Sequence, residues 1–223
     1  MVATGRHPPV LRCYRPSPTV AFGRRDGFLP GFSRATAAAR RHGFEPVIRA
    51  AGGRAAAYDE GCLVFDEIMR EPDSMRSVRE RFAGEAERQA QALRGLGIDA
   101  RVGEVPGEYC PGEFSVSARG EKKLIGAAQR IVSGGWLFST VVVVSVSSAR
   151  RVRAVLEDVY GELGLAWDPG TTGSVAGEVS DVSVESVRDA LIAQYARRYR
   201  LLPASIGSRE LARAQELVAR HRV

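Results

Sequence analysis

Apolar residues fall into short runs near the start of the chain, a helical stripe after residue 74 and several strand-length runs in the middle. Val10–Tyr14 and residues 19–23 are rich in β-branched and aromatic side chains and are joined across Pro16 and Pro18, which predicts a strand pair. Gly31 and Ser33 introduce an alanine-rich helix to about His42, with Gly43 where a left-handed cap is usual. Strand character returns at residues 46–50 and at 62–69, an apolar run bounded by turn residues and read as a buried strand. With Ser74 as its cap, the longest predicted helix puts Met75, Val78, Phe82, Ala86, Leu93 and Leu96 at helical spacing up to Gly97.

Residues 98–102, 114–118, 122–132 and 136–145 then read as a strand meander, with turn glycines at Arg119-Gly120 and Ser133-Gly134-Gly135. Helical patterns follow at 149–163, 184–199 and 209–221, separated by Gly, Pro and Ser. No long linker or internal repeat divides them, so they are placed on the same sheet. The predicted fold class is α/β in the α+β sense: a single domain over residues 1–223, with a mainly antiparallel sheet flanked by helices.

Composition narrows the functional classes. A chain of 223 residues with 44% hydrophobic and 26% charged residues can bury one good core. The net charge of +6 favours acidic partners, but the arginines are scattered and no aromatic run interleaves with them, so a solvated basic surface is favoured over nucleic-acid binding. Cys13, Cys62 and Cys110 form no CxxC pair, which suggests neither a disulfide framework nor a zinc site; no metal is expected and a reducing compartment fits. No apolar stretch is long enough to span a bilayer and the start lacks an apolar signal core, so a cytoplasmic protein is expected.

Three segments could carry chemistry. The first, from Arg49 to Gly61, contains Gly52, Gly53, Arg54 and Asp59 among alanines, so its backbone can approach a ligand closely; it equally reads as a tight strand connection. The second, Gly107-Glu108-Tyr109-Cys110-Pro111-Gly112-Glu113-Phe114, puts a thiol in a loop between strands, whereas Cys13 and Cys62 sit in apolar strands and read as small core residues. The third runs from Glu121 to Arg130. In a regular strand Lys123, Ile125, Ala127 and Gln129 share one face, which would suit an acyl chain; the same segment also reads as a solvated edge strand with lysine gatekeepers.

In this order the segments resemble the lipoate and biotin attachment superfamily, α/β domains that transfer acyl groups to lysine. Lys-Leu-Ile-Gly-Ala-Ala-Gln-Arg is similar to its lysine motif and matches Lys123 to the active-site lysine. Gly107 to Gly112 resembles the Gly-x-Tyr-Cys-Pro-Gly loop of the octanoyl-[glycine-cleavage H protein]:protein N-octanoyltransferases. ATP-using lipoate ligases typically show a third glycine and a histidine where this chain has Arg54 and Tyr58, and the amidotransferases lack both as well. The superfamily usually opens on a helix, whereas strand character here starts at Val10.

The resemblance implies an octanoyl or lipoyl transferase with Cys110 as nucleophile and Lys123 as its electrostatic partner. Arg49, Gly52, Gly53, Arg54, Asp59, Gly126 and Gln129 would form the substrate site. The implied partners are an acylated carrier like the glycine-cleavage H protein and a lipoyl domain of a 2-oxoacid dehydrogenase, with no cofactor. An ATP-dependent lipoate ligase and a catalytically silent acyl-carrier-binding protein are the alternatives. Geometry adds one demand: pairing about Arg119-Gly120 leaves Cys110 roughly 20 Å from Lys123 if the strand runs straight, so the cysteine loop must fold back.

Overall fold

The computed structural model describes residues 2–5, 7–71, 73 and 77–223. In chain order its elements are β1 (Val10–Tyr14), β2 (Thr19–Phe22), α1 (Phe32–Arg41), β3 (Glu45–Ile48), β4 (Ala56–Tyr58), β5 (Cys62–Arg70), α2 (Val78–Gly95), β6 (Ala100–Val102), β7 (Val116–Ala118), β8 (Lys122–Val132), β9 (Gly135–Val143), α3 (Val146–Leu163), α4 (Val184–Ala196) and α5 (Ser208–Val218). Local chemistry sets many of these ends. The Ser145 hydroxyl accepts from the Ser148 N–H at 3.1 Å to start α3, Gly164 closes that helix at φ 68°, and Ser183 with Ser186 forms a capping box for α4. The expected cap Ser74 and Met75 lie outside the described residues; α2 starts after Ser77.

The strands form a six-stranded antiparallel sheet, β1-β5-β9-β8-β7-β6, and a three-stranded sheet, β3-β2-β4, in which β2 runs parallel to β3 and antiparallel to β4. The predicted pairing of the first two strands is therefore incorrect. β1 pairs with β5 in the large sheet, while β2 is the centre of the small one. Pro16 and Pro18 fix φ and lack N–H groups, so the link stays extended instead of reversing as a hairpin. The small sheet itself was hidden in the alanine segment, where β4 had no apolar pattern of its own.

Helices α2 and α4 cover one face of the large sheet, packing Ala90, Leu93, Val187 and Leu191 onto Leu63, Phe65, Ile125 and Val142. A second cluster joins Cys62 and Val143 to Val20 and Phe22 of the small sheet and to Ala35, Ala39, Val152 and Val159 of α1 and α3. Among the described residues no helix is long and apolar enough to cross a membrane.

An irregularity in β8 decides where Lys123 sits. Ser117 pairs with Lys123 while its neighbour Val116 pairs with Ile125, so one extra residue, Leu124, is inserted as a bulge. The alternation flips there. Ile125, opposite Val142, faces the α2 and α4 core, and Gln129 bonds Arg81 of α2 at 2.9 Å. Gly126 and Ala128, opposite Val141 and Ser139, face the other way, and a Cβ on Gly126 would lie 3.1 Å from Lys123 Cε. Lys123 therefore does not share a face with Ile125, Ala127 and Gln129 as a regular strand would require. Nor is it on a solvated edge: β8 lies between β9 and β7, and Lys123 is 2% exposed.

The core under α2 and α4 contains a titratable cluster. Glu67 on β5 is buried, and burial followed by the nearby Glu85 carboxylate pushes it up to about 7 despite the opposing Arg88 and Arg198 charges. A carboxyl raised in the folded state loses stability as pH climbs from its unfolded value towards the folded one, and the loss then persists at higher pH. Glu67→Gln is therefore expected to stabilise the fold at pH 8 by about 1–3 kcal/mol and to change little at pH 5. Urea unfolding at the two pH values checks this; equal effects at both would refute it.

Candidate active site

A cavity of about 680 Å³ lies between the two sheets. Tyr14, Val64, Val141 and Gly126 line it side by side across β1, β5, β9 and β8, since these residues pair in register. Ala56, Ala57 and Tyr58 enclose it from β4, and the loop carrying Tyr109, Cys110 and Pro111 closes one side. Most of these walls are apolar, which suits a hydrocarbon chain.

The cysteine loop folds back onto β8 and onto the glycine segment. Lys123 Nζ donates to the Tyr109 and Cys110 carbonyl oxygens at 3.0 and 2.9 Å, and forms an ion pair with Glu108 Oε2 at 3.2 Å. An ammonium has three protons, and the two carbonyls accept two of them; Glu108 Oε2 accepts no hydrogen bond among the described residues, so its tie to Lys123 is an ion pair alone. Glu108 braces the loop in turn, its Oε1 accepting from the Gly112 N–H at 2.9 Å and the Ser115 hydroxyl at 2.8 Å. Both charges are buried, with side chains 2% and 0% exposed for Lys123 and Glu108.

Tyr160 of α3 fastens the same loop from the other side. Its hydroxyl accepts from the Cys110 N–H at 2.8 Å and donates to the Ala55 carbonyl at 2.9 Å, tying the cysteine loop to the alanine-glycine segment. Cys110 itself adopts φ 43°, a left-handed conformation uncommon for a residue with a side chain. The Tyr160 and Lys123 bonds hold its two peptide groups in that conformation.

The sulfur meets the glycine segment directly. Cys110 Sγ accepts from the Arg54 N–H at 3.2 Å and from Arg49 Nη2 at 3.4 Å, while Arg49 Nη2 also donates to the Arg54 carbonyl at 2.8 Å. Gly53 makes this possible. It sits at φ 97°, and a Cβ there would lie 2.5 Å from Arg49 Nη2 and 2.8 Å from the sulfur. The thiol is thus half-buried and hydrogen-bonded rather than simply exposed, and the cation touching it is Arg49, not Lys123.

The other thiols differ. Burial pushes Cys62 up to about 12 and Cys13 up to about 11, which keeps both protonated and unreactive near neutrality. Cys62 is a core residue as the sequence predicts, whereas Cys13 is only half-buried.

The expected site residues are brought together only in part. Arg49, Gly52, Gly53, Cys110, Lys123, Gly126 and Gln129 line the cavity. Arg54 offers its N–H to the sulfur while its side chain pairs with buried Asp26 at 3.1 Å. Asp59 does not line the cavity; its carboxylate bonds the Ser148 hydroxyl, Arg151 and the Gly61 N–H, anchoring the β4–β5 turn to α3. Sequence reasoning missed Glu108 and Tyr160. An acid directly beside an apolar Tyr-Cys pair was a visible signal for the first, but Tyr160 reads as one more apolar position on α3.

The chain belongs to the lipoyl protein ligase A/B catalytic domain family, whose model matches residues 1–196. It is 33% identical over 158 residues to an octanoyl-[GcvH]:protein N-octanoyltransferase of Anoxybacillus flavithermus, covering 70% of this chain and 56% of that protein. A protein of the same name from Geobacillus kaustophilus is 30% identical over 69% of this chain and 54% of its own length. The chain thus spans about half the length of these curated relatives. In three dimensions it is similar to the putative lipoate protein ligase Ta0514 of T. acidophilum, solved with bound lipoic acid, at a TM-score of 0.74 and 26% identity over 96% of this chain and 83% of that one.

Proposed function

We propose that this chain is an acyltransferase that moves an octanoyl or lipoyl group between carrier-protein lysines through a thioester on Cys110. The donor would be an acylated carrier like the glycine-cleavage H protein, and the acceptor a lipoyl domain of a 2-oxoacid dehydrogenase. The observation that carries this reading is the convergence of the Cys110 sulfur, Arg49, the Arg54 N–H and Lys123 on one wall of the apolar cavity. The names of the similar proteins supply the acyl group and the donor.

The chemistry balances without ATP. Cys110 Sγ bonds the acyl carbonyl carbon, the donor's amide C–N bond breaks, and the thiol proton leaves with the donor lysine amine. The acceptor lysine then attacks the thioester, its C–N bond forms as the C–S bond breaks, and a proton returns to the sulfur. One amide replaces another, so the overall exchange is nearly isoenergetic. Lys123 keeps one ammonium proton beyond those given to the two loop carbonyls, and turning it to the acyl oxygen would place a preorganised cation where charge develops. A reducing cytoplasm suits a free reactive thiol.

Mixing the chain with an octanoylated H-protein-like donor and an unmodified lipoyl domain, in chelator and without nucleotide, tests the function. Intact-protein mass spectrometry is expected to show the octanoyl mass moving from donor to acceptor. Transfer from free octanoate only when ATP is added would favour the ligase, and no transfer in either case a silent binding protein.

A further inference from the structure

We propose that Arg49 acts on the reacting sulfur itself: with the Arg54 N–H, it receives the negative charge that Cys110 Sγ carries as its bond to the acyl carbon forms or breaks. The catalytic meaning of this role rests on the acyl-thioester reading, but the geometry stands apart from it. Two donors from one short segment converge on the sulfur, at 3.2 Å from a backbone N–H and 3.4 Å from a guanidinium. Such charge-assisted contacts favour a thiolate over a thiol.

The cation is available for that task. Arg49 forms no ion pair among the described residues, and its buried Nε has no hydrogen-bond partner among them, so no carboxylate offsets its charge. Its bond to the Arg54 carbonyl points Nη2 at the sulfur and makes the guanidinium and the Arg54 peptide one rigid clamp. Gly53 keeps the gap open between them, because any side chain there would occupy the space shared by Nη2 and Sγ. Lys123 holds the opposite end of the cysteine, its carbonyl, and so divides the work with Arg49: one cation fixes the peptide and the other faces the sulfur.

In this arrangement the thiol proton lost on attack travels to the departing lysine amine and comes back from the incoming one. Arg49 neither gives nor takes a proton; it stays charged throughout. The clamp serves both half-reactions, because the sulfur is the attacking atom in the first and the leaving atom in the second.

Iodoacetamide alkylation of Cys110, followed by peptide mass spectrometry, tests the clamp without any acyl donor. Arg49→Met is expected to slow alkylation at least about tenfold near pH 6.5. Arg49→Lys should fall between, since an ammonium keeps the charge but not the fork that reaches sulfur and carbonyl together. Gly53→Ala leaves both donors in the chain but wedges them from the sulfur, and should reproduce the loss. The slow alkylation of Cys13 in the same sample reports that the fold is intact. Equal Cys110 rates at pH 6.5 in wild type and in a folded Arg49→Met, or, should that variant not fold, in Gly53→Ala, would overturn the proposal. A wild-type chain that alkylates as expected but never carries acyl mass would overturn the acyl-transfer function and leave the clamp standing.

Discussion

Lys123→Met is expected to cost about 3–5 kcal/mol of stability and to abolish acyl transfer, two losses with different origins. The stability loss comes from Glu108, whose carboxylate is left buried without its cation. The loss of transfer comes from the cysteine loop, which loses the ammonium that holds the Tyr109 and Cys110 carbonyls beside the cavity. A second substitution separates them. Glu108→Gln in the Lys123→Met background removes the stranded charge, so unfolding in urea should show a recovery of about 2 kcal/mol or more while transfer stays absent. Recovery of both together would make Lys123 a purely structural partner of Glu108. Lys123→Arg keeps the charge but puts a bulkier planar head in a site only 2% exposed, and should restore little of either.

Cys110→Ser is expected to lower transfer by at least about a thousandfold, since a hydroxyl without a strong base is a far poorer nucleophile than a thiolate. The fold should survive. The sulfur accepts from two groups, and a serine oxygen can still accept from the Arg54 N–H, so the stability change should stay within about 1 kcal/mol. Thermal unfolding and the donor-to-acceptor mass assay measure the two quantities on the same sample. A serine variant with wild-type turnover would remove the thioester from the mechanism.

Much of the architecture was legible because it is written in local chemistry. The bounds of β8 follow from the turns Arg119-Gly120 and Ser133-Gly134, and the end of α1 from the glycine stop at Gly43, whereas α3 starts at Val146, ahead of the expected residue 149, because Ser145 caps it instead of ending a strand. The start of the chain was not legible. Two neighbouring strands of similar composition belong to different sheets, and nothing local distinguishes a hairpin partner from one 54 residues away, as the Arg12–Asp66 pair is.

Within the site, the cysteine loop and the lysine strand were visible as motifs, but their geometry was not. Strict alternation put Lys123 on the face of Ile125, and only the bulge at Leu124 turns it towards the cavity, a shift that leaves no mark in an apolar Leu-Ile-Gly-Ala run. The sequence offers Arg49 only as a charge at the edge of the alanine-glycine segment, and the resemblance as a substrate contact. Its approach to the sulfur depends on a separation of 61 residues and on the space Gly53 leaves open. Asp59 shows the opposite error: a motif acid beside a glycine segment, occupied with pinning α3 rather than with the cavity.

The most direct measurement is to incubate the chain with octanoylated H-protein-like donor alone, without acceptor or ATP, quench in acid and map the peptides by mass spectrometry. The expected result is an octanoyl adduct on Cys110, sensitive to neutral hydroxylamine as a thioester is, absent from Cys110→Ser and discharged when an unmodified lipoyl domain is added. Transfer to the lipoyl domain at full rate with Cys110 never acylated would contradict the thioester mechanism.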